Sequence, residues 1–284
     1  MSALIDAHLH VWDRTRARYE WLNDSHAPIN RDMPLAEAPL TAAGVSGAIL
    51  VQAADNPEDT AHMLAVAAAD SRILGVVGYV PLHEPDLAAA ALDRLSTEPA
   101  IVGIRNLTHD RADPDWLVRP EVLAGIALVA ERGLPLDIVA ALPRHLEHIP
   151  VIADRFPDLR IILDHLGTPP VGGDLDAHWH GALADAAARP NVWAKVSGLY
   201  PAGRASATVA ELEPVLTRAL RCFGADRLML GSDWPINELF GGPAETWRAL
   251  LALTDTLTLD QRAALRHRTA ERAYALTPGK DPHE

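Results

Sequence analysis

Two histidines near the N-terminus, His8 and His10, are separated by one residue within the apolar stretch Ile5–Trp12. In an extended strand alternate side chains share a face, so the two imidazoles and Asp6 are predicted to point the same way. Imidazole is a common metal ligand and the usual proton carrier near neutral pH. Asp6, one layer deeper, is predicted to hold a histidine in position. The stretch therefore predicts a metal or acid–base site.

Further polar side chains stand at the ends of later apolar segments. They are Gln52, Arg105, His165, Lys195, Ser197 and Asp233. A lone Lys, Arg or Asp is costly to bury unless it contacts an opposite charge or a ligand. Because several such residues end apolar segments, they predict a functional site rather than ordinary packing.

Eight apolar segments are predicted to be strands, and helical segments separate most of them. The strands are Ile5–Trp12, Gly47–Gln52, Ile73–Pro81, Ala100–Arg105, Leu134–Val139, Leu159–His165, Val192–Ser197 and Arg227–Asp233. The helices are Asn56–Ala69, Leu87–Leu95, Glu121–Glu131, His145–Phe156, Ala182–Ala188, Val209–Phe223 and Ala244–Leu276. This alternation predicts a parallel sheet, and eight units without a break in composition predict one α/β domain over residues 1–284, a closed (β/α)8 barrel. A doubly wound open sheet is the alternative, but no Gly-x-Gly-x-x-Gly turn follows the first strand.

In such a barrel the active site lies where the strands end, and alternation predicts which side chains face the axis. Lys195 and Ser197 are predicted to face inward, as are Arg105 and His165. Asp164 is predicted to face away from the axis and to make a structural hydrogen bond. Three loops that follow strands are expected to carry specificity, namely Asp13–Pro39, Asn106–Arg119 and Thr168–His180.

Composition excludes several classes of function. The 284 residues carry a formal net charge of −13, which argues against nucleic acid and anionic membrane surfaces as partners. Cys222 is the only cysteine, so no intrachain disulfide can form and a reducing compartment is expected. Neither a signal peptide nor an apolar run of membrane-spanning length is found, so the predicted location is cytoplasmic. The expected partner is a small-molecule substrate, and the sequence predicts no oligomeric state.

Four motifs carry a family resemblance that covers nearly the entire chain. They are Ile5-Asp-Ala-His-Leu-His-Val-Trp, Ile162-Leu-Asp-His-Leu-Gly, Lys195-Val-Ser-Gly-Leu and Gly231-Ser-Asp-Trp-Pro, in that order. Together they resemble the amidohydrolase superfamily, and more closely its amidohydrolase-2 branch, which includes sugar lactonases and pyrone dicarboxylate lactonases. Each motif is weak alone, but four at successive strand ends are specific.

The resemblance implies a ligand set with departures from the fuller superfamily pattern. Many members carry a metal-bridging Lys or Glu on the fourth strand and a His on the fifth, where this chain has Arg105 and the His-free Leu134–Val139. A centre with two metals is therefore not expected. The implied set is His8, His10, His165 and Asp233. It suits either one divalent ion, zinc by its ligand types, or a metal-free hydrogen-bonding site, and both remain open.

The resemblance implies hydrolysis of a sugar-acid lactone. The histidines would polarise the carbonyl directly or through zinc, and Asp233 would act as general base and then as general acid. Substrate contacts are predicted for Trp12, Gln52, Arg105, Lys195, Ser197 and Trp234. The alternative is a metal-dependent, non-oxidative decarboxylase of an aromatic or dienoic acid, in which Arg105 would hold a carboxylate. A binding protein without enzymatic activity is disfavoured because a candidate base and electrophilic groups are present.

Overall fold

Eight parallel strands form a barrel in the computed structural model, which describes residues 3–109 and 111–276. They are β1 Ile5–Leu9, β2 Gly47–Val51, β3 Ile73–Gly78, β4 Ile101–Asn106, β5 Leu136–Val139, β6 Ile161–Asp164, β7 Val192–Val196 and β8 Leu228–Leu230, adjacent in chain order. Backbone hydrogen bonds join the last strand to the first: the N–H of His10 donates to Trp234 O (2.7 Å), and the N–H of Asp233 donates to His8 O (2.8 Å). The predicted (β/α)8 barrel is confirmed.

Helices connect the strands, and most of them cover the outside of the barrel. They are α1 Leu40–Ala43, α2 Pro57–Ala69, α3 Pro85–Leu95, α4 Pro120–Glu131, α5 Pro143–Arg155, α6 Ala177–Ala187, α7 Val209–Phe223, α8 Gly242–Asp255, α9 Leu259–Ala263 and α10 Thr269–Ala273. Side-chain caps begin four of them, α2, α6, α7 and α9. Asn56, for example, accepts the N–H of Asp59 at 2.9 Å and begins α2. None of the helices in the described ranges is both long and apolar enough to cross a membrane.

Two helical predictions differ from the structure. The segment His178–His180, predicted to be loop, lies in α6 because Asp176 caps that helix by accepting the N–H of Trp179 at 2.7 Å. The predicted final helix Ala244–Leu276 is interrupted after Asp255, where α8 ends, and the chain continues as shorter helical pieces.

The hydrophobic residues form two buried clusters. The larger cluster lies between the sheet and the surrounding helices. The smaller one fills the inside of the barrel and includes Ile5, Ala7, Ile49, Val51, Val77, Ile162 and Met229. Residues at the end of the described chain, Ala270, Ala273 and Tyr274, belong to this inner cluster as well. The C-terminal segment thus packs against the barrel interior below the strand ends.

Strand β1 contains an irregularity next to the two histidines. The β2 residues that pair with Asp6 and Leu9 are two positions apart, whereas Asp6 and Leu9 are three apart. Both β2 partners belong to the outer cluster, so Asp6 and Leu9 face outward and the extra residue of β1 lets His8 face inward. The prediction that Asp6 shares a face with the histidines is therefore wrong. Its Oδ1 instead accepts the backbone N–H groups of Ser232 (2.8 Å) and His8 (3.2 Å), and it holds backbone rather than an imidazole.

Strand β6 has the opposite phase from the predicted one. Ile162 belongs to the inner cluster, whereas Ile161 and Leu163 belong to the outer cluster. Asp164 therefore faces the barrel interior, which corrects the prediction that it points away. His165 follows the end of the strand and reaches the interior through a turn of the backbone. Since a parallel strand is buried on both faces, its hydrophobic pattern could not distinguish the two phases.

The packing of α4 against the chain after β3 supplies a test of the fold. A Cβ atom on Gly125 would lie 2.2 Å from the carbonyl oxygen of Leu82, so the substitution Gly125→Ala is expected to lower the free energy of unfolding by about 1–3 kcal/mol. The control Gly181→Ala, on α6 with open space around it, should instead raise it by up to about 1 kcal/mol because alanine favours helix. Urea denaturation measures both, and equal effects of the two variants would contradict the packing.

Candidate active site

The ends of β1 and β8 bring three metal- or proton-binding side chains into one cluster. His8 Nε2 lies 3.1 Å from His10 Nε2, and Asp233 Oδ1 lies 3.3 Å from His10 Nε2 and 3.6 Å from His8 Nε2. The ring of His165, from the end of β6, lies 4.6 Å from that of His8 between centroids. The structure therefore brings the four predicted residues together at one end of the barrel.

Hydrogen bonds orient two of these imidazoles. His10 Nδ1 lies 2.7 Å from the carbonyl oxygen of Val51, so Nδ1 carries the hydrogen and Nε2 presents its lone pair to the cluster. His165 Nδ1 lies 3.0 Å from Ser197 Oγ. Gly198, at φ +58°, leaves room for this ring, because a Cβ atom there would lie 2.3 Å from His165 Nδ1. Ser197, which was predicted to contact the substrate, thus orients the ring of His165 instead.

The backbone adopts left-handed conformations where it presents these side chains. His165 (φ 55°), Leu166 (φ 53°) and Asp233 (φ 58°) all lie in the region that L-residues rarely adopt. Each such residue costs about 1–3 kcal/mol, and such residues concentrate at functional sites. The strain falls at the ends of β6 and β8, where it turns His165 and Asp233 toward the cluster.

Lys195 lies buried beneath the histidines and is surrounded by acceptors. Its Nζ lies 2.5 Å from Asp137 Oδ2, 3.1 Å from Asp164 Oδ1 and 3.1 Å from His8 Nδ1. An ammonium group has three N–H donors, and here three acceptors surround it. Lys195 therefore fixes the positions of Asp137, Asp164 and His8, and none of its donors is left for a substrate.

Asp164 links Lys195 to a second cation. Its Oδ2 lies 2.9 Å from Arg105 Nε, and its Oδ1 lies 3.3 Å from His8 Nδ1. Burial opposes ionisation, but the charges of Lys195, His8 and Arg105 hold the pKa of Asp164 well below its usual range. Burial instead raises the pKa of Asp137 to about 6, although Lys195 and the hydroxyl of Tyr274 (2.7 Å) stabilise its ionised form. The two cations face two buried carboxyl groups.

Gln52 and Arg105, predicted to bind substrate, hold one another. Arg105 Nη1 donates to Gln52 O (2.8 Å), and Gln52 Nε2 donates to Arg105 O (3.1 Å) and to Asp55 Oδ1 (3.0 Å). Among the described residues, buried Gln52 Oε1 has no hydrogen-bond partner. That oxygen is the atom of this pair that remains available to a ligand.

The two tryptophans predicted to stack on a substrate are packed into the protein. Trp12 is fully buried, contacts Tyr19 and Trp21, and donates from Nε1 to Arg31 O at 2.6 Å. Trp234 is 1% exposed, and its Nε1 lies 3.2 Å from a carboxylate oxygen of Glu238. Their rings support the loops after β1 and β8 and present no open face.

Sequence reasoning assigned no role to Tyr200 or Asp137. The Tyr200 hydroxyl donates to Asp233 Oδ2 at 2.9 Å. Tyr200 lies three residues after Ser197 in a loop, so strand alternation gave no signal for it. Asp137 and Asp164 are the two buried carboxyl groups that contact Lys195 Nζ, and this pairing accounts for an acidic residue within the apolar strand β5.

A cavity of about 850 Å³ opens at the same end of the barrel, within the size range of small-molecule sites. Its walls come from loops that follow β1 to β4 and include Arg14, Trp21, Asp55, Tyr79 and Arg111. None of the four clustered residues lines it. Asp55 connects the two regions, because it accepts from Gln52 as well as from Arg111 Nη2 at 2.6 Å.

Sequence comparison decides the family. The profile of a family described as amidohydrolase matches residues 5–276. The chain belongs to this amidohydrolase family. The predicted family is therefore confirmed.

Characterised relatives of this amidohydrolase share most of its length. An L-fucono-1,5-lactonase of Burkholderia ambifaria is 36% identical over 253 residues, covering 88% of this chain and 87% of the relative. An L-fucono-1,5-lactonase of Burkholderia multivorans is 33% identical over 296 residues and 99% of both chains. The crystal structure of an amidohydrolase from Burkholderia multivorans with bound zinc has a TM-score of 0.87 and 30% identity, covering 97% of this chain and 100% of that one.

The cluster in this amidohydrolase has the spacing of a metal site. Two atoms bound to zinc at about 2.0–2.1 Å in tetrahedral geometry lie about 3.3–3.4 Å apart, and the separations among His8 Nε2, His10 Nε2 and Asp233 Oδ1 are 3.1, 3.3 and 3.6 Å. Metal-binding histidines donate their other N–H to a carbonyl or carboxylate. His10 contacts Val51 O in this way, and His8 Nδ1 faces Asp164. The residues therefore fit one divalent ion.

A second group, His8, Asp164 and His165, is a poorer metal site. Lys195 Nζ lies 3.1 Å from both Asp164 Oδ1 and His8 Nδ1, so an ion there would face an ammonium charge. The first group has no such neighbour at its ligand atoms among the described contacts. His165 therefore lies beside the group formed by His8, His10 and Asp233 and is not part of it.

The buried Lys195 can be tested through stability. Lys195→Met keeps a side chain of similar length but leaves Asp137 and Asp164 without their ammonium partner. The free energy of unfolding should therefore fall by about 3–5 kcal/mol. The matched variant Arg248→Met breaks an exposed pair with Glu245 and should change it by less than about 1 kcal/mol. Chemical denaturation compares the two. Similar small losses in both would show that the buried network is not what stabilises the interior.

Proposed function

We propose that this amidohydrolase opens a sugar-acid lactone, an aldonolactone, by adding water to the ring carbonyl. The observation that carries the proposal is the placement of Asp233. Its Oδ1 lies 3.3 Å from His10 Nε2 and 3.6 Å from His8 Nε2 at the end of the barrel where such enzymes react. The L-fucono-1,5-lactonase relatives at 36% and 33% identity support the substrate class.

Asp233 is assigned the proton transfers. Burial opposes ionisation of Asp233, but its interactions with the nearby His165, His10 and His8 hold its pKa below the usual range. The carboxylate is therefore ionised at neutral pH. The Asp233 carboxylate takes a proton from water as the water oxygen bonds to the carbonyl carbon. The bond from that carbon to the ring oxygen then breaks, and Asp233 returns the proton to the departing oxygen. The product is the open hydroxy acid, and the side chain ends as it began.

His165 is assigned to the carbonyl oxygen. Burial lowers the pKa of His165, so its imidazole is neutral and carries one N–H. When Ser197 Oγ donates to Nδ1, the hydrogen of the ring is on Nε2, which can donate to the oxygen where negative charge develops. Ser197 and Gly198 set the direction of that donor. His165 thus serves the substrate rather than an ion.

We further propose that His8 Nε2, His10 Nε2 and Asp233 Oδ1 hold one divalent ion, zinc by its ligand types. When bound, zinc supplies Lewis acidity toward the carbonyl. The three side chains hold its position because each is tied on its far side, by Asp164, Val51 O and Tyr200 respectively. The zinc-bound amidohydrolase structure supports this assignment.

The sugar hydroxyl groups are assigned to the polar wall between the cluster and the large cavity. Gln52 Oε1 is a buried acceptor without a partner in the described residues, and Asp55 and Arg111 line the cavity beside it. Two of the loops predicted to carry specificity, Asp13–Pro39 and Asn106–Arg119, supply walls of this cavity. The substrate ring would therefore be recognised from the side of β1 to β4.

The decarboxylase alternative needs a cation to hold a carboxylate, and the predicted group was Arg105. In the structure Arg105 is buried, with Nε 2.9 Å from Asp164 and Nη1 2.8 Å from Gln52 O. Its charge is already matched by Asp164. No observation at the site favours decarboxylation over hydrolysis.

The test of the function is a panel of aldonolactones followed with a pH indicator, because hydrolysis releases a proton. The purified enzyme should open at least one lactone well above the spontaneous rate. Chelation should remove turnover, and zinc at one equivalent per chain should restore it. Turnover that survives complete metal removal would overturn the zinc assignment and keep the lactonase. No lactone turnover in either state would overturn the function.

Asp233→Asn tests the assigned base. The variant keeps the shape of the side chain, and kcat should fall by about 10²–10⁴-fold because proton transfer is lost. Asp93→Asn, which changes an exposed carboxylate on α3, is the control and should keep full kcat. Steady-state kinetics on the best lactone measures both, with thermal unfolding to show that the variants fold. Unchanged kcat in Asp233→Asn would remove this residue from the mechanism.

A further inference from the structure

Tyr200 makes a contact with the reactive carboxylate that the proton transfers assigned to Asp233 do not use. Its hydroxyl donates to Asp233 Oδ2 at 2.9 Å, whereas Asp233 Oδ1 faces the imidazoles of His8 and His10. The two carboxylate oxygens therefore have different surroundings. One is tethered to the loop after β7, and the other is presented to the cluster.

The phenol ring is itself fixed in place. It stacks on Phe240 with 4.0 Å between centroids and 10° between planes. A phenol keeps its hydrogen at neutral pH, so the Tyr200 hydroxyl is the donor in its contact with the Asp233 carboxylate. Tyr200 and Phe240 come from the loops after β7 and β8. The tether thus joins Asp233 to a rigid aromatic pair.

A carboxylate needs such a tether to present one chosen oxygen. Rotation about the bond that carries the carboxylate is broad and nearly two-fold, so the side chain's own torsional preference does not select Oδ1 over Oδ2. Asp233 also sits in a left-handed backbone conformation after the end of β8. The hydrogen bond from Tyr200 distinguishes the two oxygens.

We propose that Tyr200 is a positioning residue for the reaction, acting through Asp233. Its hydroxyl holds Oδ2, so that Oδ1 faces His8, His10 and the attacking water. The proposal rests on the proposed function of Asp233 as the base. It extends the reactive site to the residue that directly follows the motif Lys195-Val-Ser-Gly-Leu, for which the sequence assigned no role.

Tyr200→Phe removes the hydroxyl and keeps the ring that stacks on Phe240. We expect kcat on the best lactone to fall about 10- to 100-fold, the range for one lost hydrogen bond to a charged group, with KM within about twofold. A change in KM at unchanged kcat would show that the hydroxyl binds substrate instead and would overturn the proposal. Unchanged values of both would overturn it as well.

The matched control is Tyr19→Phe. Tyr19 also donates its hydroxyl to a buried carboxylate, Asp59, at 2.7 Å, but it lies in the packed loop after β1. This variant should lose thermal stability and keep kcat within about twofold, since a hydrogen bond away from the reacting atoms affects folding alone. If both variants lost kcat equally, the effect of Tyr200 would be structural, and the proposal would fail.

A double-mutant cycle shows whether Tyr200 acts through Asp233. In the Asp233→Asn background, Tyr200→Phe should produce little further loss of kcat, because the group that it positions is already disabled. Independent, multiplicative losses would contradict the proposal. Asp233→Asn alone reports on the base itself, so failure of the proposed function is recognised separately.

A crystal structure of Tyr200→Phe supplies a readout that does not depend on turnover. The Asp233 carboxylate should rotate or occupy more than one orientation, while His8, His10 and Phe240 keep their places. A carboxylate that stays in its original orientation would overturn the proposal even if no lactone proved to be a substrate. The Tyr19→Phe crystal structure, with Asp233 undisturbed, is the comparison.

Discussion

The buried ammonium group of Lys195 is the interaction on which the site depends. It lies within 3.1 Å of Asp137, Asp164 and His8, and so joins β5, β6 and β1 around one charge. A single buried charge would be prohibitive, but paired with carboxylates it fixes their positions in a medium where contacts are strong. Asp164 in turn contacts Arg105, which donates to the backbone carbonyl of Gln52. The floor of the site is therefore a network of paired charges.

This arrangement sets the proton positions of His8. Its Nδ1 lies 3.1 Å from Lys195 Nζ and 3.3 Å from Asp164 Oδ1. When Nδ1 carries the hydrogen, it donates to Asp164, and Nε2 offers a lone pair to an ion. When Lys195 donates to Nδ1, the hydrogen is on Nε2 and points toward His10 or Asp233. The same side chains can therefore hold an ion or form a metal-free hydrogen-bonding site. The tautomer of His8 distinguishes the two.

Much of the fold and the site could be predicted because they depend on short-range features of the sequence, such as helix caps and the residues at strand ends. Asn56 begins α2 as a cap, and α7 has its predicted bounds, Val209–Phe223. His8, His10, His165 and Asp233 stand together because parallel strands end at one face. Two errors fell on Asp6, two residues before His8, and on Asp164, directly before His165. On a strand buried on both sides, or one with an extra residue, a shift of one position reverses the face of every side chain, and the hydrophobic pattern does not record it.

By itself the sequence determined the class of barrel, the family and the residue types at the strand ends, since alternation, caps and motifs are short-range features. Only the tertiary structure decided how these residues are used. Lys195, Arg105 and Gln52 had been assigned to the substrate, yet Lys195 and Arg105 contact buried carboxylates, and Arg105 and Gln52 donate to each other's backbone carbonyl groups. Tyr200 reaches Asp233 across 33 residues of chain. The physical reason is that pairing of buried polar groups depends on distances between strands, and those distances exist only once the barrel has closed.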